Sequence, residues 1–554
     1  MNILFRLKTM MNDISKQEVL DILSKNVDDS IISFDQFPKA NQFKDLTEAV
    51  ELFINHIKKG SRILFIHDSD ADGIGTFMIS KIYFEKYFPG LNIEIVITDR
   101  SKGYGFQPLY VQERLNTLFQ PNLIITADNG ITSHEGCQLA RDNNIDVIIT
   151  DHHQVDMFKG KPNANYIIDP HQEDCFFPFP DINGTLVYWY FINEFHQKMG
   201  GEGNLYYEFL PELAMTVVSD VMPIKNINRF IVKDALQKFS THHRQWTKTF
   251  FTSLDKNDVT IEDFGFNLVP CINVAARMAN AEDAAIFMTQ EFSKGSLEWF
   301  SYLKELNDTR KARQEKLIKT IKSNYQSWLD ASFIIIPGED FQKGILGPVA
   351  GRLAEEFKKP TIVLSKSRDG KTYSGSGRSV GEVDLLDLLK NNPFVIQDKT
   401  GGHKAACGVS FPVENLNDFW YRLQEDTNKV PLEKYNEKSK GSYGYLDLDD
   451  ITFDFFNKIE KFQPFGKDFE RPSFTSTGLL TSARKMGKDS NHYNLEIQSN
   501  KGVKFRSIWF FFSKELKRNN IVEFTYNIML DTFNKDNPQL CLHIKSIQIK
   551  EKND

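Results

Sequence analysis

Between residues 62 and 168 the chain presents short apolar runs at regular intervals, and this rhythm constrains the fold more than any other feature of the sequence. The runs occupy residues 62–67, 93–98, 123–126, 147–150 and 166–168, and helix-like stretches separate several of them. Strand, loop and helix repeated at such intervals predict a parallel α/β sheet. Ligands of such sheets bind at the carboxyl ends of the strands. Four apolar runs of this chain end in acidic or imidazole-bearing turns.

The first turn reads His67-Asp68-Ser69-Asp70-Ala71-Asp72-Gly73. Three aspartates at alternating positions repel one another unless cations neutralise them. Asp70 and Asp72 are placed to bind hard divalent ions, with a solvated or calcium-like loop as the competing reading. The second turn is Ala127-Asp128-Asn129-Gly130. A lone aspartate at a strand end is more often a helix cap than a ligand. The third is Asp151-His152-His153. A histidine pair beside an aspartate suits a metal imidazole with a carboxylate behind it. The fourth, Val217-Val218-Ser219-Asp220, reads as one more strand end closing in aspartate. Together the four deliver oxygen and imidazole donors to one domain. That mixture suits manganese or magnesium better than a thiolate zinc site. Two bridged ions would activate water and stabilise the leaving oxygen of a phosphodiester.

With 554 residues, three or four domains are expected. Residues 1–59 read as a polar helical segment and 60–299 as the α/β domain carrying the acidic turns. Residues 300–330 are heavily charged, lack Gly and Pro, and predict one long connecting helix. Residues 331–430 form a second, smaller α/β segment and 431–444 a polar linker. Residues 445–554 hold short strand-like runs separated by turns, the pattern of a small β-barrel. The net charge of −7 excludes a globally basic nucleic-acid binder but leaves room for local basic grooves. Cys137, Cys175, Cys271, Cys407 and Cys541 form no CxxC pair, which argues against a zinc or disulfide framework. No run of about 18 apolar residues predicts a membrane span. The N-terminus lacks a signal-peptide pattern, so a cytoplasmic protein is expected.

The ordered set of Asp70-Ala71-Asp72-Gly73, Ala127-Asp128-Asn129-Gly130, Asp151-His152-His153 and Val218-Ser219-Asp220 resembles the DHH phosphoesterase superfamily. The resemblance extends from about residue 60 to 550. It implies that Asp70, Asp72, Asp128, His152 and Asp220 hold two manganese ions, magnesium being the alternative, with Asp128 bridging. It implies that His153 stabilises charge on the reacting phosphate, that Asp68 and Asp151 either bind the ions or stand behind their ligands, with Asp151 and Asp128 counted among the catalytic groups, and that His67 stands behind the ligands. Asp169-Pro170 takes the place of the family's usual Asn-Pro.

Other segments resemble the RecJ branch. Arg100 precedes a Gly103-Tyr104-Gly105 turn, and Asn273-Val274-Ala275-Ala276-Arg277 matches a branch motif with Ala276 in place of glycine. Residues 344–353, 375–379 and 401–403 resemble the DHHA1 domain. Gln463-Pro464-Phe465-Gly466 resembles the start of the branch's oligonucleotide-binding barrel, with Lys467-Asp468-Phe469 replacing its Gly-Asn continuation.

A terminal 5′-phosphate is a dianion, best gripped by guanidinium forks and hydroxyls. Arg100, Arg277, Ser376 and Arg378 are the candidates for that pocket, and His403 for contact with the scissile or neighbouring phosphate. Trp509, Phe505, Tyr493, Arg484, Lys485, Lys488 and Arg506 interleave aromatic and basic character in the barrel region. They suit a strand-tracking groove, although alternating aromatics in a barrel are more often core.

The resemblance implies a monomeric 5′-to-3′ exonuclease that releases 5′-mononucleotides from single-stranded DNA in repair or recombination. Single-strand-binding protein or a helicase would be its partners. A DHH phosphodiesterase acting on short oligonucleotides or cyclic dinucleotides is one alternative, but such relatives usually lack the connector and barrel. A replication scaffold that has lost its ligands is the other, and here every ligand position is filled.

Overall fold

The computed structural model describes residues 12–156, 159–254, 256, 258–435, 442–487, 492–510, 512, 515–531 and 537–551. The chain divides into two compact units, one of Ser30–Glu437 and one of Met1–Asp29 with Lys438–Asp554. Residues 1–59, read from sequence as one segment, are thereby shared between the two units.

In the larger unit, β1 (Ile63–His67), β2 (Ile93–Ile97), β3 (Leu123–Ala127), β4 (Asp146–Thr150) and β5 (Tyr166–Ile168) form a parallel sheet of order β2-β1-β3-β4-β5. All five residues of β1 and of β3 are buried. Neighbouring side chains of β1 enter different cores. Ile63 and Phe65 join a large aromatic-rich cluster, and Leu64 and Ile66 join a second one. Apolar packing on both faces explains why these strands read as continuous runs rather than alternating ones. The order reverses between β1 and β3, where open α/β sheets leave a crevice at the strand carboxyl ends. Asp68 follows β1 and Asp128 follows β3, so the reversal brings them together.

The connecting helix runs Lys294–Asn324 and starts at an N-cap on Ser293. Phe300 and Leu303 near its start are buried in the large core. Ile318 and Ile321 near its end join Leu346, Val349 and Leu353 in the core of the second sheet. The helix is therefore anchored in both cores rather than spanning solvent. The second sheet has order β6-β7-β8-β10-β9, from β6 (Ile334–Gly338), β7 (Thr361–Lys366), β8 (Thr372–Arg378), β9 (Gly401–His403) and β10 (Ala406–Pro412). Its helix Lys343–Phe357 abuts the helix Val269–Met278 closely. A Cβ on Gly344 would stand 2.1 Å from the Arg277 carbonyl oxygen, so only glycine fits.

In the smaller unit, β11 (Ser473–Met486), β12 (His492–Gln498), β13 (Lys504–Trp509), β14 (Ile521–Asp531) and β15 (Gln539–Glu551) close a barrel of order β11-β12-β13-β15-β14. That order, with β13 and β15 parallel, is the oligonucleotide-binding topology. Asn12 and Ile14 bond to Tyr445 of this unit. Tyr493, Phe505 and Trp509 are 2%, 6% and 5% exposed, so they fill the barrel and build no stacking groove. Arg506 pairs with Asp531 and Lys485 with Glu515. Lys488 lies outside the described residues. No helix among the described residues is long and apolar enough to cross a membrane.

Candidate active site

The turn after β1 is shaped by its own aspartates. Asp70 caps the helix Ala71–Tyr87 and accepts from the Asp72 and Gly73 amides at 3.1 and 3.3 Å. A Cβ on Gly73 would lie 2.1 Å from the Asp68 carbonyl oxygen, which explains the glycine. Asp68 accepts from Thr98 at 2.9 Å. After β3, Asp128 adopts φ 61°, a left-handed conformation that aspartate tolerates better than most residues. Asn129 anchors this turn by donating to the carbonyls of Ile66 and Ala127 at 3.0 and 2.9 Å.

Asp151, after β4, does not face the other carboxylates as a ligand would. Its oxygens accept the backbone amides of Ile131, His152 and His153 and the Nδ1 of His153, the last at 2.7 Å. Against the cost of burial, the His153 ring holds Asp151 well below the usual carboxylate range. His152 donates Nδ1–H to the Ile182 carbonyl at 3.0 Å, which fixes its tautomer and leaves Nε2 as a bare donor atom. That Nε2 stands 3.2 Å from Asp220, 3.3 Å from Asp128 and 3.6 Å from Asp72.

Asp220 is supplied differently from the sequence reading. It follows the helix Tyr206–Ser219 and not a strand. The β-branched run Thr216-Val217-Val218 resembles a strand when read alone, but it is the end of a helix buried on all faces over residues 209–217, and short apolar runs do not separate the two.

Asp72 holds a further element that the sequence did not reveal. Its carboxylate accepts from Asn183 Nδ2, Gly184 N and Thr185 N at 2.7, 2.7 and 3.0 Å, at the N-terminus of the helix Gly184–Lys198. The unpaired amides and the helix dipole favour an anion there. Asn-Gly-Thr before an apolar run was the available signal. A Cβ on Gly184 would stand 2.3 Å from Asp128 Oδ1. Gly184→Ala should therefore displace Asp128. Given what misplacements of about 1 Å cost, a loss of about 100-fold in kcat/KM is expected in a strand-degradation assay.

Three ligand groups emerge, each with donor atoms within 4.8 Å of one another: Asp68, Asp70 and Asp128; Asp72, His152 and Asp220; Asp128, His152 and His153. Asp128 and His152 each belong to two of them. Asp128 Oδ1 and His152 Nε2 are buried yet lack hydrogen-bond geometry to any partner. Burial, then the Asp70 charge, pushes Asp68 up to about 6. Burial, then the Asp220 charge, pushes Asp72 up to about 7. Crowded buried carboxylates with orphaned donor atoms fit divalent cations, and the oxygen and imidazole set fits hard or borderline ions.

His67 stands apart from these groups. Its Nδ1 meets Thr76 Oγ1 at 2.7 Å, and Thr76 in turn donates to the Gly73 carbonyl at 2.7 Å. Burial pulls it down to about 3, so it is neutral. Asp169 is fully buried, accepts the His171 amide at 2.8 Å, and is pushed up by burial.

Next to the carboxylates lies a cluster of guanidinium groups. Arg100 donates to Ser69 Oγ at 3.0 Å and approaches Asp70 at 3.5 Å. Burial, then the charges of Arg100 and Arg310, pull Arg277 down to about 10, with Arg378 adding to the effect. Arg378 Nη2 would be 3.0 Å, and Ser376 Cβ 3.7 Å, from a Cβ on Gly347, so glycine makes room for both. The helix Val269–Met278 is tied to the first turn by Asn273, which accepts the Ala71 amide at 2.8 Å. The structure thus gathers the four sequence candidates and adds Arg310 of the connecting helix. Asn307 and Gln314 hold Arg310 at 3.0 Å each, and Gln314 bonds the Pro348 carbonyl at 3.1 Å. One arginine in a charged helix gives no sequence signal. The His403 side chain lies outside the described residues.

The Tyr104 hydroxyl stands 3.0 Å from His153 Nε2, a contact that its place in a Gly-Tyr-Gly turn does not reveal. Tyr104 is 49% exposed as a whole, and burial followed by the charges of Asp68, Asp151 and Asp128 pushes its hydroxyl well above the usual phenol range. Gly103 and Gly105 flank it at φ 118° and 67°. Tyr104→Phe removes one bond of about 1 kcal/mol and should lower kcat about fivefold with little change in KM, measured on labelled strands.

Three known domains match the chain in order: the DHH family N-terminal domain over residues 62–217, the DHHA1 domain over 330–429 and the RecJ OB domain over 444–545. The single-stranded-DNA-specific exonuclease RecJ of Escherichia coli (strain K12) is 28% identical over 472 residues, covering 81% of this chain and 80% of that protein. The RecJ of Bacillus subtilis (strain 168) is 26% identical over 463 residues. This alignment covers 83% of the chain but only 57% of the Bacillus protein. The crystal structure of RecJ in complex with Mn2+ from Thermus thermophilus superposes with a TM-score of 0.74 at 21% identity, over 92% of this chain and 72% of that one. The chain belongs to the DHH family, in the branch defined by RecJ.

Proposed function

We propose that this protein is a metal-dependent exonuclease that shortens single-stranded DNA from its 5′ end, releasing 5′-mononucleotides. The observation that carries the reading is the meeting of Asp70, Asp72, Asp128, His152 and Asp220 around orphaned donor atoms, beside a cluster of arginines. In this reading those five residues hold two divalent ions, manganese or magnesium, with Asp128 common to both. The ions would supply an activated water and charge stabilisation at the phosphodiester. Activity on single strands is what the named relatives support, whereas polarity, metal preference and a role in repair are this reading's own.

The remaining steps belong to the chain itself. Arg100, Arg277, Ser376 and Arg378 grip the terminal phosphate, and guanidinium forks match its geometry. His153, aligned by Asp151 and Tyr104, stands where charge develops on the reacting phosphate. Asp68 and His67 support the first turn, through Thr98 and Thr76. His403 is assigned to the scissile or a neighbouring phosphate. The catalytic domain spans residues 60–299, the DHHA1 domain 331–430 and a strand-binding barrel 445–554.

The test is a time course on single-stranded and duplex oligonucleotides, labelled at either end, with manganese, magnesium or chelator. Stepwise release of mononucleotides from the 5′ end of single strands alone is expected, with none in chelator. Preference for dinucleotides over long strands would favour a small-substrate phosphodiesterase, and cutting in chelator would overturn the metal assignment.

A further inference from the structure

The Asp220 edge of the carboxylate cluster breaks three local rules in one place. The helix Tyr206–Ser219 ends with Val221 N donating to Val218 O at 3.2 Å and Met222 N to Val217 O at 3.0 Å. This turn normally places glycine at the position Val221 occupies. Val221 takes φ 52°, a strained conformation for a β-branched residue, and its side chain is 61% exposed. Against the same helix end packs a π-helical turn, Phe264–Leu268, in which Val269 N donates to Phe264 O. A Cβ on Gly265 would make an ordinary van der Waals contact, at 3.8 Å, with Val218 Cγ1. The next residue, Phe266, is 75% exposed.

The π-helical turn continues directly into the helix Val269–Met278, which carries Asn273 and Arg277. A single rod therefore runs from the arginine cluster, past the first acidic turn, to an exposed phenylalanine. Strain, a π-turn and exposed apolar groups found together mark a functional place more often than a structural one. Arginines account for the phosphates of a strand but leave its bases without a partner. Phenylalanine offers every base the same stacking surface.

We propose that Phe266 and Val221 form an apolar platform on which one base of the bound single strand stacks, at the Asp220 edge of the cleavage centre. The proposal rests on the exonuclease reading and deepens it. A base inside a duplex is already stacked on its neighbours, so the platform favours unpaired strands.

The experiment uses the full-length protein with Mn2+ and 5′-phosphorylated oligonucleotides carrying one abasic residue, moved along the first six positions. Phe266→Ala is expected to raise KM about tenfold on the intact strand. In the unmutated protein one abasic position should raise KM by a similar factor, and in the Phe266→Ala protein that same position should cost nothing further. Val221→Gly relieves the strained turn, so the variant should melt at the same or a higher temperature and still show a raised KM. A purely structural role for Val221 would not produce that pairing. A Phe266→Ala KM within twofold of normal, or an abasic penalty that persists undiminished in the variant, overturns the platform. If the unmutated protein degrades no strand, the exonuclease reading fails on its own. Fluorescence anisotropy with the same oligonucleotides then applies the same comparison to binding alone.

Discussion

Asp128→Asn is expected to slow degradation of single-stranded DNA by about 1,000-fold or more and to abolish the stabilisation that manganese confers. Asp128 appears in two of the three ligand groups, so the change weakens both at once. Metal ions at a phosphodiester supply several kcal/mol of transition-state stabilisation, and each 1.36 kcal/mol is tenfold in rate. Asparagine keeps the shape of the side chain and its turn, so the loss is not a folding defect. Thermal melts provide the control. At about 100 times its dissociation constant, a cation that binds only the folded protein adds about 2.7 kcal/mol. The unmutated protein should gain that stability with Mn2+, and the variant should gain little. Without metal the variant should be no less stable, because burial, then the Asp72 charge, already pushes Asp128 upward and asparagine removes that repulsion. Full activity in the variant would remove Asp128 from the chemistry.

Arg378→Ala should erase the preference for a phosphorylated 5′ end. The arginine cluster sits in a confined place where burial and the charges of Arg100, Arg310 and Arg378 pull Arg277 down, while Asp68 and Asp70 act as counter-charges to Arg100. Such a cluster is stabilised by a dianion. Charge-assisted hydrogen bonds contribute about 1.5–3 kcal/mol, or about 10- to 100-fold in KM. Loss of that order is expected for phosphorylated strands, with a small effect on strands ending in a hydroxyl. An unchanged ratio between the two substrates would place the phosphate elsewhere. The side chain that Gly347 makes room for is removed, and no backbone contact needs to shift.

The sheet was legible because its central strands are buried on both faces, which leaves short unbroken apolar runs ending in acids. The carboxylates after β1 and β3 and the imidazoles after β4 followed from that pattern. Asp220 was legible as a ligand candidate but not as the end of a helix, since three β-branched residues in a row carry the strand signature. Contacts made by backbone atoms escaped the reading. The amides of Gly184 and Thr185 that hold Asp72 are invisible in side-chain chemistry, and the crowding that demands Gly184 exists only once Asp128 is in place. Arg310 and Tyr104 gain meaning only from what the fold sets beside them. The barrel aromatics were legible as strand residues, and inward-facing positions claimed them.

The most direct measurement is anomalous diffraction at the manganese edge from crystals grown with Mn2+. Two peaks are predicted in the space bounded by Asp70, Asp72, Asp128, His152 and Asp220, with Asp128 touching both. No peak there, or manganese bound only elsewhere, would contradict the account at its root.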